Sequence, residues 1–199
     1  NIPFILKEVD VQSAVSNGGS IETAARDLRY KALREAARGG GYAKIAVAHH
    51  GDDQAETVLY HLLRGSGVTG LSGMKPINGD IIRPFLCVSK NEIKDFLKDF
   101  SYVPCHDESN DVEDAVRNRI RLSLVPELIS YNPRVTESLR RTADIFREED
   151  LFMEEKADVF ISSCVEHDND KCVFFIAYFL VLHIALQRRV IRKICCMVA

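Results

Sequence analysis

Between Phe4 and Val9 apolar and polar side chains alternate, and the stretch runs into a polar, glycine-containing segment at Ser16 to Ser20. That pattern predicts a strand followed by a turn. From Ile21 the period changes. Ala24, Ala25, Leu28, Ala32, Leu33 and Ala36 recur every three or four residues until Gly39-Gly40-Gly41, which predicts a helix and its stop. Lys44 to Ala48 is a short apolar run with β-branched Ile45 and Val47 and reads as a buried strand of a parallel sheet. A second helix is predicted from Gln54, with Ala55, Val58, Leu59, Leu62 and Leu63 on one face and Gly65 at its end. Strand, helix, strand, helix in that order predicts an α/β domain with right-handed crossovers.

Beyond Pro84 the pattern becomes helical. Ser89 and Glu92 have the spacing of a capping box for a helix carrying Ile93, Phe96, Leu97 and Phe100. Residues 101 to 114 are rich in acids, Asn and Ser without an apolar period, which predicts a loop. Helical spacing resumes at Ala115, and Asn132-Pro133 suits the cap and first turn of a long helix running past Phe146. The apolar run from Val173 to Leu186 covers 14 residues and contains His183. It is shorter than the roughly 20 residues needed to cross a bilayer, so it predicts a buried helix and no membrane span. Two regions are expected: 1–88, the C-terminal part of a sheet domain, and 89–199, a helical region. The extended opening at Asn1, without a methionine, suggests a chain that starts partway through a longer protein.

At 199 residues, with 46% hydrophobic and 28% charged residues, the composition is that of a folded globular protein and excludes disordered and fibrous classes. The net charge of -3 carries no global basic signature, so a nucleic-acid partner must be sought in local clustering. Such a cluster exists between Ala115 and Arg147. Arginines 117, 119, 121, 134, 140, 141 and 147 face only Glu127, Glu137 and Asp144 there, an excess of 7 − 3 = 4. The six cysteines show no CxxC or Cys/His ligand spacing, which points to reduced thiols in a cytoplasmic protein.

The densest polar cluster is Ala48-His49-His50-Gly51-Asp52-Asp53-Gln54-Ala55-Glu56-Thr57, where a buried strand gives way to a helix. In open parallel sheets ligands bind at that edge. Helix N-terminal amides favour a phosphate, and aspartates with imidazoles can hold a divalent cation against it. ATP with magnesium meets both demands. The structural alternative is an Asp N-cap beside solvated histidines.

The segment AHHGDDQAET, followed by LLRGSG and GLSGM, resembles the signature of tRNA(Ile)-lysidine synthetases. Other segments agree in order and spacing: Ala25-Arg26 with Arg29-Tyr30, Ile82-Arg83-Pro84-Phe85, Asp107-Glu108-Ser109-Asn110, Arg117-Asn118-Arg119-Ile120-Arg121, Val125-Pro126 and Ala185-Leu186-Gln187-Arg188-Arg189. The resemblance implies a Rossmann-like, adenine nucleotide α-hydrolase-like α/β domain, incomplete at its N-terminus, followed by a mostly helical substrate-binding region. It implies an enzyme that uses ATP and Mg2+ to adenylate the C2 oxygen of a wobble cytidine, after which the ε-amine of free L-lysine displaces AMP. The implied RNA is tRNA(Ile) with a CAU anticodon, and a homodimer is compatible with the family.

By the same resemblance His50, Asp52, Asp53 and Arg29 are catalytic. His49, Arg26, Glu56, Thr57 and Arg64 bind the nucleotide, while Arg83, Asp107, Asn110, Arg117, Asn118 and Arg121 meet tRNA or lysine. Asp53 and His50 are the metal ligands. The family's SGGxDS phosphate loop does not occur in this chain; Asn17-Gly18-Gly19-Ser20 lacks its aspartate and reads as a turn, so residues before Asn1 are expected to supply the loop. Two alternatives remain at this point: a thiolase-type modifier of the same superfamily, which would want paired cysteines, and a catalytically inert tRNA-binding fragment.

Overall fold

The computed structural model describes residues 3–11, 21–100, 102, 116–168 and 171–198. Asp107 and Asn110, the turn at Ser16 to Ser20 and the expected loop over 101–114, apart from Tyr102, lie outside the described residues. Contacts divide the chain into two compact units, 1–50 with 75–95 and 51–74 with 96–199.

In the first unit the predicted helix is present as α1, Ile21–Gly39. Gly41, with a φ of +70°, lets the chain turn back, and the Tyr42 amide donates to the Ala37 carbonyl at 2.8 Å. Strand β1, Ile45–Ala46, runs parallel to β3, Ile81–Ile82, and β3 pairs antiparallel with β2, Ile77–Asn78. The sheet order is β1-β3-β2, with Ile45 opposite Ile81 and both buried. Gly79, at a φ of +60°, opens the two-residue turn between β2 and β3.

The alternating stretch at Phe4 to Val9 forms no strand, contrary to expectation. A strand exists only through its ladder, and none of the described strands pairs with this segment, whose apolar side chains stay exposed. The α/β class itself stands.

The second unit is helical. It begins with α2, Gly51–Leu63, which ends as the sequence predicts: the Ser66 amide donates to the His61 carbonyl and the Gly65 amide to that of Leu62, both at 3.0 Å. Helix α3, Val68–Leu71, follows. Helix α4, Lys90–Asp99, straddles the division between the units and carries the predicted capping box, with the Ser89 amide 2.7 Å from Glu92 and the Glu92 amide 3.2 Å from Ser89 Oγ.

Farther on come α5, Val116–Arg119, a π-helical turn over Ile120–Leu124, α6, Val125–Tyr131, and the long α7, Val135–Cys164. The long helix begins close to the expected place but two residues later: Arg134 is the N-cap of α7, and Asn132 ends α6, its side chain accepting from the Arg134 amide at 3.0 Å in the turn between the two helices. Helices α2 and α3 both pack on α7, where Ala55, Val58, Leu59 and Ala143 are buried. That packing explains why α2 groups with the helical unit, although composition suggests a boundary at 88/89.

The predicted buried helix over Val173 to Leu186 is not formed. Lys171–Phe174 is strand β5, antiparallel to β4, Val165–Asp168, and is followed by the short α8, Ile176–Leu180, and by α9, Ile184–Met197. His183 caps α9 by accepting from the Ala185 amide at 3.3 Å, so the histidine inside the apolar run marks a break. Phe174 and Phe179 turn inward onto a core of Ala157, Phe160, Val190 and Ile194, while Phe175 and Val181 stay exposed. Among the described residues no helix is long and apolar enough to cross a membrane.

Candidate functional site

Helix α2 presents three carboxylates in its first two turns, Asp52, Asp53 and Glu56. Like charges so close repel unless a cation serves them, and Arg121 from the π-helical turn does so. Its Nε donates to Glu56 Oε1 at 2.7 Å, and its Nη2 to Glu56 Oε2 at 2.9 Å and Asp53 Oδ1 at 3.0 Å. The Glu56 side chain is 6% exposed and that of Asp53 19%, so the fork works in a partly dry setting where such pairs are strongest. Hydrogen bonding to Glu56 holds the guanidinium pKa above its ordinary value; burial opposes this and the charges of Glu56, Asp53 and Asp52 reinforce it.

At the helix start, Gly51 leaves room for a second arginine. A Cβ there would lie 2.6 Å from the Arg140 guanidinium. A cation beside the positive end of a helix dipole is unfavourable by itself, and an anion placed there would gain from both.

The loop after α3 is fastened to α2 by Gln54, which is 2% exposed. Its carboxamide accepts from the Met74 amide at 2.7 Å and donates to the Met74 carbonyl at 3.1 Å and the Ser72 carbonyl at 3.4 Å. Gly73 is required twice over: its φ is +63°, and a Cβ would lie 2.7 Å from the Gln54 carboxamide. Thus the glutamine of HHGDDQ and the glycine of GLSGM form one device. Arg147 Nη2 also reaches the Met74 carbonyl, at 3.4 Å. Thr69 Oγ1 donates to Asp150 at 2.7 Å, and Asp150 pairs with Arg189 at 2.7 Å, so α3 is tied through α7 to α9.

In the sheet unit, Arg26 and Arg29 lie over the Tyr30 ring, at 5.0 and 5.9 Å from its centroid. Arg34 grips Asp80 in the β2–β3 turn with bonds of 2.7 and 3.2 Å. Arg83 is buried, with its Nη1 donating to the Lys75 carbonyl at 2.7 Å. His49 and His50 are half-buried in the segment leaving β1.

Of the residues singled out from sequence, Asp52, Asp53, Glu56 and Arg121 come together, with Arg121 turned inward onto carboxylates. Thr57 spends its hydroxyl on the Asp53 carbonyl at 2.7 Å. Arg64 bonds the Tyr60 hydroxyl and, with Arg117, flanks the Tyr60 ring, their guanidinium carbons 5.1 and 6.0 Å from its centroid. Asn118 is half-buried on α5. Among the described residues no group of three or more His, Cys, Asp or Glu gathers as a metal-ligand set.

Sequence reasoning named Gln54, Arg140, Arg147 and Arg189 within their motifs and clusters but missed the clamp, the contact at Gly51, the contact at Met74 and the Asp150–Arg189 pair that they form. Their partners lie tens of residues away, and the one available signal was that Gln54 and Gly73 sit inside matching motifs.

Curated proteins named tRNA(Ile)-lysidine synthase are similar to this chain, three of them as follows. That of Caldanaerobacter subterraneus subsp. tengcongensis is 37% identical over 195 residues, covering 97% of this chain and 42% of the relative. That of Petrotoga mobilis is 43% identical over 154 residues, 74% of this chain and 49% of the relative. That of Bacteroides thetaiotaomicron is 43% identical over 133 residues, 67% of this chain and 31% of the relative. The chain thus spans less than half the length of these relatives. Residues 1–128, which contain the carboxylate cluster, the Gln54 clamp and Arg121, match the PP-loop domain, and the chain belongs to that family.

Proposed function

We propose that this chain carries part of a tRNA(Ile)-lysidine synthase, which joins free lysine to C2 of the wobble cytidine in tRNA(Ile) with a CAU anticodon at the expense of ATP. In this reading the C2 oxygen of the cytidine attacks the α-phosphorus of ATP and pyrophosphate departs. The lysine ε-amine then forms the C2–N bond as AMP leaves with the oxygen. The product would read an isoleucine codon in place of the methionine codon.

The observation that carries the reading is Arg121. It brings the Arg117-Asn118-Arg119-Ile120-Arg121 segment onto Asp53 and Glu56 of the HHGDDQAET segment, 68 and 65 residues away in sequence. Two of the segments that resemble the lysidine-synthase pattern are therefore one structure at the start of α2. Arg121 would hold the Asp53 and Glu56 carboxylates in place, and the α2 amides with Arg140 would favour the nucleotide's phosphates. Magnesium is commonly held by one or two carboxylates plus substrate phosphates; Asp52 and Asp53 would hold it, with His50 named for it by its motif alone, and the ion would offset charge on the leaving pyrophosphate. Arg26 and Arg29 belong to the same reading as phosphate-binding side chains. Asp107 and Asn110 enter it through their motif alone, Asp107 as a carboxylate for the lysine amine. A cytoplasmic location supplies ATP, tRNA and the reducing conditions that suit free thiols at Cys87, Cys164, Cys172, Cys195 and Cys196.

The test is ATP-dependent transfer of radiolabelled lysine into unmodified CAU-anticodon tRNA(Ile), with this chain and with the longest protein its gene encodes. Label entering the RNA, and lost in D53N, is the expected result. No incorporation by either protein removes the proposal.

A further inference from the structure

Along α1 lies an open cavity of about 690 Å³ whose lining includes Arg26, Lys31, Arg34, Arg38 and Arg83. Only two carboxylates, Asp27 and Asp80, join them, so the lining carries 5 − 2 = +3 in a chain whose net charge is -3. Arg34 is committed to Asp80. The side chains of Lys31 and Arg38 are exposed and form no ion pair among the described residues. Arg83 is different, because it is only 7% exposed. Its Nη1 is spent on the Lys75 carbonyl, its Nε has no acceptor, and no carboxylate pairs with it among the described residues. A guanidinium buried without a counter-charge is costly, and an anion entering from the cavity would relieve that cost.

The cations are also arranged in a row. Arg26, Arg34 and Arg38 fall at multiples of four along one face of α1, with Lys31 beside them. Arg26 and Arg38 are twelve residues apart, about 18 Å at 1.5 Å per residue. A single phosphate needs one or two of these groups; a row of this length suits a polyanion with regularly spaced charges. Tyr30, under the guanidinium groups of Arg26, Arg29 and Arg34, stiffens the row.

We propose that the α1 groove from Arg26 to Arg38, floored by Arg83, binds the sugar-phosphate backbone of an RNA, remote in sequence from the arginine cluster between residues 117 and 147. Lys31 and Arg38 contact phosphates directly, and Arg83 supplies the fixed charge beneath them. The proposal rests on the reading of this protein as an RNA-modifying enzyme and names a second surface for that RNA. Contacts of this kind give affinity that falls with salt but no sequence choice.

The experiment is binding of fluorescein-labelled, unmodified CAU-anticodon tRNA to the full chain, followed by anisotropy over a series of salt concentrations. Wild type is compared with K31E/R38E and with the milder K31A/R38A, whose thermal melts are recorded alongside. The groove predicts about tenfold weaker binding at low salt and a log-affinity against log-salt slope shallower by about one to two units, in at least one variant that melts like wild type. Wild-type affinity and slope in such a variant overturn the groove and leave the RNA reading intact. A wild-type chain that binds no tRNA at any salt overturns both.

Discussion

Replacing Arg121 with methionine keeps most of the aliphatic volume and removes the fork that serves Glu56 and Asp53. Three hydrogen bonds of 2.7, 2.9 and 3.0 Å are lost at once, and Glu56 remains almost completely buried with no cation on either oxygen. Removing one partner of a buried ion pair costs about 3–5 kcal/mol. Here the Arg121 side chain is 29% exposed, so water can reach part of the vacated space and the figure drops to about 2–4 kcal/mol. For a chain of this size each kcal/mol moves the midpoint by about 2–4 °C, so R121M should melt about 4–16 °C below wild type. Neutralising the stranded acid should recover part of the loss, leaving a coupling energy of about 1–3 kcal/mol between R121M and E56Q in a double-mutant cycle. The assay is urea unfolding followed by far-ultraviolet circular dichroism at pH 7. An R121M loss below about 0.5 kcal/mol, or additive single and double variants, refutes the claim that the segment over residues 117–121 is held on α2 by this fork.

Three further perturbations follow from the same geometry. Gly73→Ala must strain a left-handed backbone and displace the Gln54 carboxamide, for a loss of about 2–3 kcal/mol; limited proteolysis should cut near residues 72–75 faster than in wild type, and an unchanged digestion rate and melt would contradict the clamp. Asp150→Ala removes the carboxylate shared by Thr69 and Arg189, leaves Arg189 paired with Glu154 alone and should cost about 2–3 kcal/mol, whereas Thr69→Ala, which loses one hydrogen bond, should cost about 1 kcal/mol; equal losses in the two melts would count against Asp150 as the hub. For Glu154, burial pushes the carboxyl pKa up, but hydrogen bonds from Lys193 and Arg189 win and hold it below its ordinary value of 4.5. A depressed acid contributes stability above its unfolded pKa and loses it as pH falls through the folded value, so wild type should lose stability below about pH 4.5 more steeply than E154Q; parallel acid limbs in the two urea titrations would remove Glu154 from the account.

Much of the local architecture was legible in the chain. Helices α1 and α2, the Gly65 stop and the Ser89/Glu92 box all rest on signals spanning a few residues, and each satisfies backbone groups that are its own neighbours. The β2–β3 hairpin was not read from the sequence, because strands of two residues carry too little period. Phe4 to Val9 has a strand's alternation and forms no strand, because alternation cannot supply a ladder partner. The apolar run at Val173 to Leu186 misled in the opposite direction: hydrophobicity said that it would be buried, whereas pairing with β4 and the His183 cap divided it into strand and helices.

The site divides along the same line. The sequence by itself determined which residue types were present at the start of α2 and that several arginines follow in the chain. It could not say which arginine does what, since Arg121, Arg140 and Arg147 look the same in sequence as Arg134 and Arg141. Tertiary structure alone turned Arg121 onto Glu56 and Asp53, set Arg140 over Gly51 and sent Arg147 to Met74, leaving Arg134 and Arg141 exposed. The physical reason is range. Helix periods and caps are decided within a turn or two, whereas the energy of a charge depends on which groups the fold brings within a few ångströms of it, and here those groups lie 65 or more residues away along the chain.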